Sequence, residues 1–510
     1  MENGGDVMKK QTLTQGTMIL IVTGFIIKVL GMINRIIVTR LLGVAGVGIY
    51  MLITPTLMLL ATFASIGLPV AIPTLISRAN SRQKKILSAS LIIAMLSSFI
   101  ISLILFAAAR PLAFTFLKDE RTYLPLLSIG PLLFCIAFST ILKAYFQGEQ
   151  NMMPTAVATL TEQIVRMIAC ITLIGLMLPR GVVYGVVAVM WASIAGEIAS
   201  SLILVAMFFK NLKVNHRGAT LKPVRLSSQN FKDVLAISFP TTGSRLIGAF
   251  THFLEPIIVV GALYRIGYSS EISGKLYGAV SGFTLPVLLM PSFITVAITQ
   301  SIVPSISKAY IEQDFALISR HLNISFSLSF LMSGLYTVLI MTFPNEIMHL
   351  LYHTETGANF LIMMAPFFLL LYFQAPLTAA LQAIDEAKSA MRSSLISSMI
   401  KISLMVVLLQ IPSINIHGLM IAILTHIVIL TGWHYLHLRK KIGYQIKLST
   451  IVNGLLILGI TYLVGLYLKA NLALFAHQLL NMGMITLIIS FIYLIGLAIC
   501  GLLPKWRFRK

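Results

Sequence analysis

Stretches of about twenty apolar residues recur along almost the whole of this 510-residue chain. Each is long enough for one helix to cross a hydrocarbon core of roughly 30 Å. A membrane β-barrel would instead show short segments of alternating polarity, and none is visible. The composition agrees: 57% of the residues are hydrophobic and 11% are charged, against roughly 25% charged in soluble domains. Mean hydropathy is +0.92. These values exclude a soluble multidomain enzyme and predict an all-α polytopic membrane protein.

Length and flanking residues place about fourteen spans, near 14–41, 47–77, 86–109, 122–147, 155–177, 184–209, 231–260, 274–305, 316–343, 357–384, 388–410, 417–438, 448–469 and 480–502. The N-terminus carries Lys9 and Lys10 but no small-residue cleavage site after a short apolar core, so the first span is expected to be retained.

The net charge of +22 would suggest a nucleic-acid partner in a soluble protein. Here 24 of the 38 cations fall in loops on one side of the predicted spans and eight in loops on the other. The positive-inside rule reads this as a multi-pass protein of the cell membrane with both termini cytoplasmic and no nucleic acid. Six cations are left within the spans, where an ionisable side chain is by default a functional one.

A basic segment from Lys210 to Lys232 divides the chain, and the two sides show a weak internal repeat. Lys28, Gly31 and Arg35 align with Arg245, Gly248 and His252, while Gln147 and Arg166 align with Gln382 and Lys401. The expected organisation is an N-terminal six-helix bundle at 1–212, a basic cytoplasmic linker at 213–230, a C-terminal six-helix bundle at 231–441, and two further helices with a basic tail at 442–510. Six spans separate equivalent positions, so the copies run parallel, related by a pseudo-two-fold axis along the membrane normal. Transporters built this way place substrate between the halves near the midplane.

Gly24, Lys28, Gly31 and Arg35 share one face of span 1, and Arg245, Gly248, His252 and Glu255 share one face of span 7. Each buried Lys or Arg costs about 2.5–3.5 kcal/mol on insertion scales. Several on one surface are tolerable if that surface meets water or an anion, and a phosphate suits the planar fork of arginine. The alternative is that these cations pair with Glu162, Glu197 or Glu255 and only fix helix packing. Pro240 and Pro256 predict a kinked or unwound span 7. Prolines 55, 69 and 73 in span 2 and 286, 291 and 304 in span 8 mark either simple bends or helices that flex around a cavity.

Cys135, Cys170 and Cys500 lie in apolar runs without metal or redox spacing, and His426, His434 and His437 read as core or interface histidines. No metal or cofactor is expected. No Walker A, G-x-S-x-G or H-E-x-x-H motif occurs, so the chain is not read as an enzyme.

Several blocks carry a family likeness: Gly43 to Tyr50 (GVAGVGIY), Ala144 to Pro154 (AYFQGEQNMMP), Glu162 to Arg166 (EQIVR), Phe239 to Gly248 (FPTTGSRLIG), Glu255-Pro256, Pro291 to Thr295 (PSFIT) and Met364 to Gln374 (MAPFFLLLYFQ). Over almost the entire chain they resemble the polysaccharide-transporter branch of the multidrug/oligosaccharidyl-lipid/polysaccharide flippase superfamily, to which lipid II flippases are related. The resemblance implies fourteen helices in two bundles around a central cavity. It also implies translocation, by alternating access, of an undecaprenyl-diphosphate-linked peptidoglycan precursor for spore cortex synthesis. The partners implied are this lipid-linked oligosaccharide, the phospholipid bilayer and, as candidates, membrane enzymes of cortex synthesis. Lys28, Arg35 and Arg245 match by position the cavity cations that serve the diphosphate in lipid II flippases, with His252 and Glu255 on the same face. His252 stands where a second-half cation would answer Arg35, which would make the cavity charge sensitive to pH. Two other readings stand beside this one: a cation-coupled multidrug exporter of the same superfamily, and a non-transporting membrane scaffold for cortex enzymes.

Overall fold

A helix hydrogen-bonds its own backbone, which is why long apolar segments in lipid become helices. The computed structural model describes residues 13–78, 83–215, 228–472 and 478–503, and among these no strand occurs. The expected cations Lys9, Lys10, Arg82, Arg217, Lys222, Arg225 and those from Lys505 to Lys510 lie outside the described residues, as does most of the 213–230 linker.

Thirteen described stretches are long and apolar enough to cross a membrane. The first, Thr23–Ser77, has 55 residues, more than twice the about 20 that one crossing needs, and so accounts for the two spans expected there. Its parts are α1 (Leu13–Ser65) and α2 (Leu68–Arg78), and α1 is itself broken at Gly43, with φ 63° and ψ −178°. Only glycine adopts that backbone readily. There follow α3 (Gln83–Pro111), α4 (Tyr123–Gly148), α5 (Met153–Met177), α6 (Val182–Asn215), α7 (Ser228–Arg265) and α8 (Ser270–Gly278). These belong to one compact unit, Met1–Gly278. The second unit, Ala279–Lys510, opens with a π-helical turn at Ala279–Thr284. It continues through α9 (Leu285–Leu289), α10 (Ser292–Ile311), α11 (Phe315–Thr342), α12 (Pro344–Tyr352), α13 (Ala358–Ala383), α14 (Ala387–Leu408), α15 (His417–Ile442), α16 (Leu448–Asn471) and α17 (Gln478–Ile499). The compact boundary falls after α7 and α8 because both pack on α1. It does not coincide with the 1–212 and 231–441 boundaries, which describe the sequence repeat.

Two local expectations change. α7 is helical through Pro240 and Pro256, so the span is not unwound there: a proline removes one hydrogen bond of the ladder and the flanking turns retain theirs. The eighth expected span, 274–305, is instead two helical stretches: Ser270–Leu289, which contains the Ala279–Thr284 π turn, and α10, parted at Met290–Pro291. Elsewhere the repeat has conformational echoes. Lys118 and His353 are both left-handed, as are Gln150 and Asp385, and each pair lies 235 positions apart. The ends of α4 and α13 are offset by the same 235 positions.

Outward faces carry large apolar residues such as Leu176, Leu202, Met399 and Leu487. Inside, hydroxyls bond back to the preceding turn, as Thr54 does to the Tyr50 carbonyl at 2.7 Å and Thr337 to Ser333 at 2.8 Å, which satisfies polar atoms that water cannot reach. Small residues allow close helix approach. A Cβ on Gly48 would come within 2.8 Å of the Gly274 carbonyl oxygen, and one on Gly278 within 2.8 Å of the Gly48 Cα, so α1 and α8 touch backbone to backbone. In the turn between α13 and α14, Glu386 accepts from Lys441 at 2.5 Å and from His437 at 3.1 Å. The Lys441 bond and then the His437 bond hold its carboxyl below the ordinary value.

Gly48→Leu is expected to destabilise the protein by about 1–3 kcal/mol, the usual cost of overpacking, read as a lower thermal midpoint in detergent. Because the Glu386 pKa is depressed, its contribution is complete above the ordinary carboxylate pKa and is lost as pH falls through the lowered value. Glu386→Gln should therefore speed hydrogen exchange in the 384–388 turn at neutral pH, whereas the unmodified protein should match it only in acid.

Candidate functional site

The face of α1 that carries Lys28 is open. Lys28 is exposed, and a Cβ at Gly24 or Gly31 would meet nothing within 4 Å. Among the described residues Lys28 forms no ion pair and no hydrogen bond. Arg35, two turns further on, is half-buried, and its Nη2 lies 3.7 Å from the Met51 Sδ. A thioether is a weak acceptor, and Met51 sits beyond the Gly43 break, so this contact links the two arms of α1.

α7 packs against α1 within the same unit. On it Arg245 and His252 are exposed, and a Cβ at Gly248 would again meet nothing. Arg245, like Lys28, has no ion-pair or hydrogen-bond partner among the described residues. Glu255 differs: it is buried and accepts from the buried Tyr277 hydroxyl of α8 at 3.5 Å, and Pro256 beside it is buried too. All five candidate residues, Lys28, Arg35, Arg245, His252 and Glu255, thus lie in one compact unit, four on accessible or half-accessible positions of α1 and α7 and the carboxylate turned inward.

The six cations within the spans divide by environment. Lys143 on α4 reaches Glu162 on α5 at 2.6 Å, and Arg166 bonds the other Glu162 oxygen one turn away. Arg166 also lies 3.9 Å from Glu197 on α6, whose carboxylate accepts from Ser139. Gly196 makes this possible: a Cβ there would be 2.9 Å from the Glu162 carbonyl oxygen and 3.1 Å from the Arg166 Cβ. Internal pairing, the alternative reading of the intramembrane charges, therefore describes Lys143 and Arg166 but does not extend to Lys28 or Arg245. Lys401, at the repeat position of Arg166, is buried and engaged. The Glu162–Arg166 pair was visible in the sequence as an i,i+4 spacing; the roles of Lys143, Ser139 and Glu197 were not, because they join three helices.

The buried His434 is bonded on both ring nitrogens, to Thr378 at 3.1 Å and Ser393 at 3.0 Å. Among the described residues no cluster of His, Cys, Asp or Glu could hold a metal.

Comparison with known proteins bears on this arrangement. Residues 13–310 match the family model described as polysaccharide biosynthesis protein, and residues 258–407 match the MatE model. The chain is 36% identical over 508 residues, covering 99% of it and 98% of the relative, to the stage V sporulation protein B of Bacillus subtilis (strain 168). It is 22% identical to the lipid II flippase MurJ of the same organism, covering 90% and 88% of the two chains. Among solved structures, a lipid II flippase MurJ in an inward closed conformation superposes with a TM-score of 0.70 at 15% identity, covering 94% and 97%. An inward-facing multidrug resistance MATE family transporter gives 0.65 at 16%, covering 82% and 94%. The chain belongs to the polysaccharide biosynthesis protein family, within the multidrug/oligosaccharidyl-lipid/polysaccharide superfamily of membrane transporters.

Proposed function

We propose that this protein is a flippase that carries an undecaprenyl-diphosphate-linked peptidoglycan precursor, lipid II or a close analogue, across the cell membrane for spore cortex synthesis. The observation that carries the reading is the pair of exposed cations Lys28 and Arg245, without ion-pair partners among the described residues, on packed helices α1 and α7. Moving a bare diphosphate through hydrocarbon costs tens of kcal/mol by Born solvation. Fixed ammonium and guanidinium groups replace much of the lost hydration, and guanidinium adds a two-pronged fit to phosphate oxygens. Lys28, Arg35 and Arg245 hold the diphosphate while the polyprenyl tail stays in lipid. His252 adds a charge that depends on pH, and Glu255 acts through its Tyr277 contact to position α7. The family membership and the sporulation and lipid II names of the relatives support the substrate class.

The chain works by alternating access of two repeated six-helix bundles, without covalent chemistry, and its termini are cytoplasmic, as the 24-to-eight division of loop cations supports. Cortex-synthesis enzymes of the membrane are candidate partners. A cation-coupled drug exporter would need a surplus of carboxylates at this position, and the accessible candidate charges Lys28, Arg35 and Arg245 are positive. A scaffold would depend on the basic loops instead of Lys28.

A charge-assisted hydrogen bond is worth about 1.5–3 kcal/mol, so Lys28→Ala or Arg245→Ala should each weaken diphosphate-lipid binding by roughly ten- to a hundredfold at unchanged protein level. Flipping of labelled lipid II in proteoliposomes measures this, and full transport by the double variant would refute the assignment. Glu162→Gln should behave differently. It leaves Lys143 and Arg166 without their shared carboxylate at a cost of about 3–5 kcal/mol, so folded yield should fall before transport is lost.

A further inference from the structure

The outer face of α15 changes character along its length. Val428, Gly432, Leu436 and Lys440 recur at every fourth residue, with Trp433 and His437 beside them, and these six residues line a cleft of about 450 Å³. Gly432 is the notch in its floor, since a Cβ there would meet nothing within 4 Å. Val428 and Gly432 also line a second, half-open cavity of about 520 Å³ bordered by α11, α13, α15 and α16. Its walls are apolar: Phe326 stacks on Phe373 with ring centroids 4.0 Å apart, beside Phe330, Leu455 and Leu458. The cleft and the cavity therefore meet at Gly432.

The other end of the cleft is cationic. Glu386 is occupied by His437 and Lys441, whereas Arg439 and Lys440 are exposed and make no ion pair or hydrogen bond among the described residues. From Val428 to Lys440 the helix rises about 18 Å at 1.5 Å per residue. That is close to half of a hydrocarbon core of roughly 30 Å, the depth of a single leaflet. Trp433, 39% exposed, lies two turns before Lys440, about 10 Å further along the cleft at 1.5 Å per residue.

We propose that this seam is a binding site for an anionic diacyl phospholipid, with one acyl chain entering the aromatic cavity past Gly432 and the phosphate at Lys440. The unpartnered cations at the mouth select an anionic headgroup over a zwitterionic one, and the leaflet-length reach suits an acyl chain over a polyprenyl chain several times longer. The site lies wholly within the second compact unit and involves none of the residues assigned to the transported diphosphate.

The test is native mass spectrometry of the full-length protein, delipidated and then titrated with phosphatidylglycerol or phosphatidylcholine. Phosphatidylglycerol should bind about fivefold more tightly, equivalent to about 1 kcal/mol for one lysine at an anionic surface. Lys440→Glu should abolish that preference and Lys440→Arg should keep it. Gly432→Leu should reduce retention of both lipids by filling the junction. Equal binding of the two lipids, or an unchanged preference in Lys440→Glu, overturns the proposal. So does one-for-one displacement of phosphatidylglycerol by undecaprenyl phosphate, which would make the seam a polyprenyl site.

Discussion

A hydrocarbon solvent that donates and accepts no hydrogen bonds governs everything else in this molecule. It forces the backbone into helices and favours internal polar side chains that bond to their neighbours, although Thr56, Ser90, Ser98 and Ser200 keep buried hydroxyls without a partner among the described residues. It also makes an unpartnered charge at mid-span intelligible only if something outside the protein meets it. The serine and threonine bonds to preceding carbonyls, the glycine contact of α1 with α8 and the Lys143–Glu162–Arg166–Glu197 group all answer the same demand. Lys28 and Arg245 do not, and that exception gives the molecule its functional direction.

Span positions were legible because hydropathy over twenty residues averages away local detail. What interrupts a span was not. Gly43 lies within a glycine-rich block that reads equally as loop or helix, yet the chain makes a one-residue break there and continues. Prolines act unequally: α7 stays helical through Pro240 and Pro256, while the eighth span is helical from Ser270 to Leu289 and breaks at Met290–Pro291. Whether one lost hydrogen bond breaks a helix depends on the neighbours that can take it up, and these belong to other parts of the chain.

The charged residues follow the same logic. An i,i+4 pair such as Glu162 and Arg166 is local, and the sequence displays it. Lys143, Ser139 and Glu197 join that pair from two other helices, so only packing reveals that two of the six intramembrane cations are neutralised. Likewise Glu255 shares a helical face with Arg245 by spacing, but its burial against Tyr277 separates its task from that of the exposed cations.

The break at Gly43 has a mechanical meaning. Five residues later, Gly48 is in backbone contact with α8, so the arm of α1 that follows the break is clamped, while the arm that precedes it buries Val38, Thr39 and Leu42 next to the break and exposes Lys28 far from it. At about 1.5 Å per residue, Lys28 stands about 22 Å from the pivot, and a tilt of only ~10° would swing its ammonium by ~4 Å. A lever of this length turns a small torsional adjustment at one glycine into a displacement comparable with a phosphate group, and it does so without repacking the clamped arm.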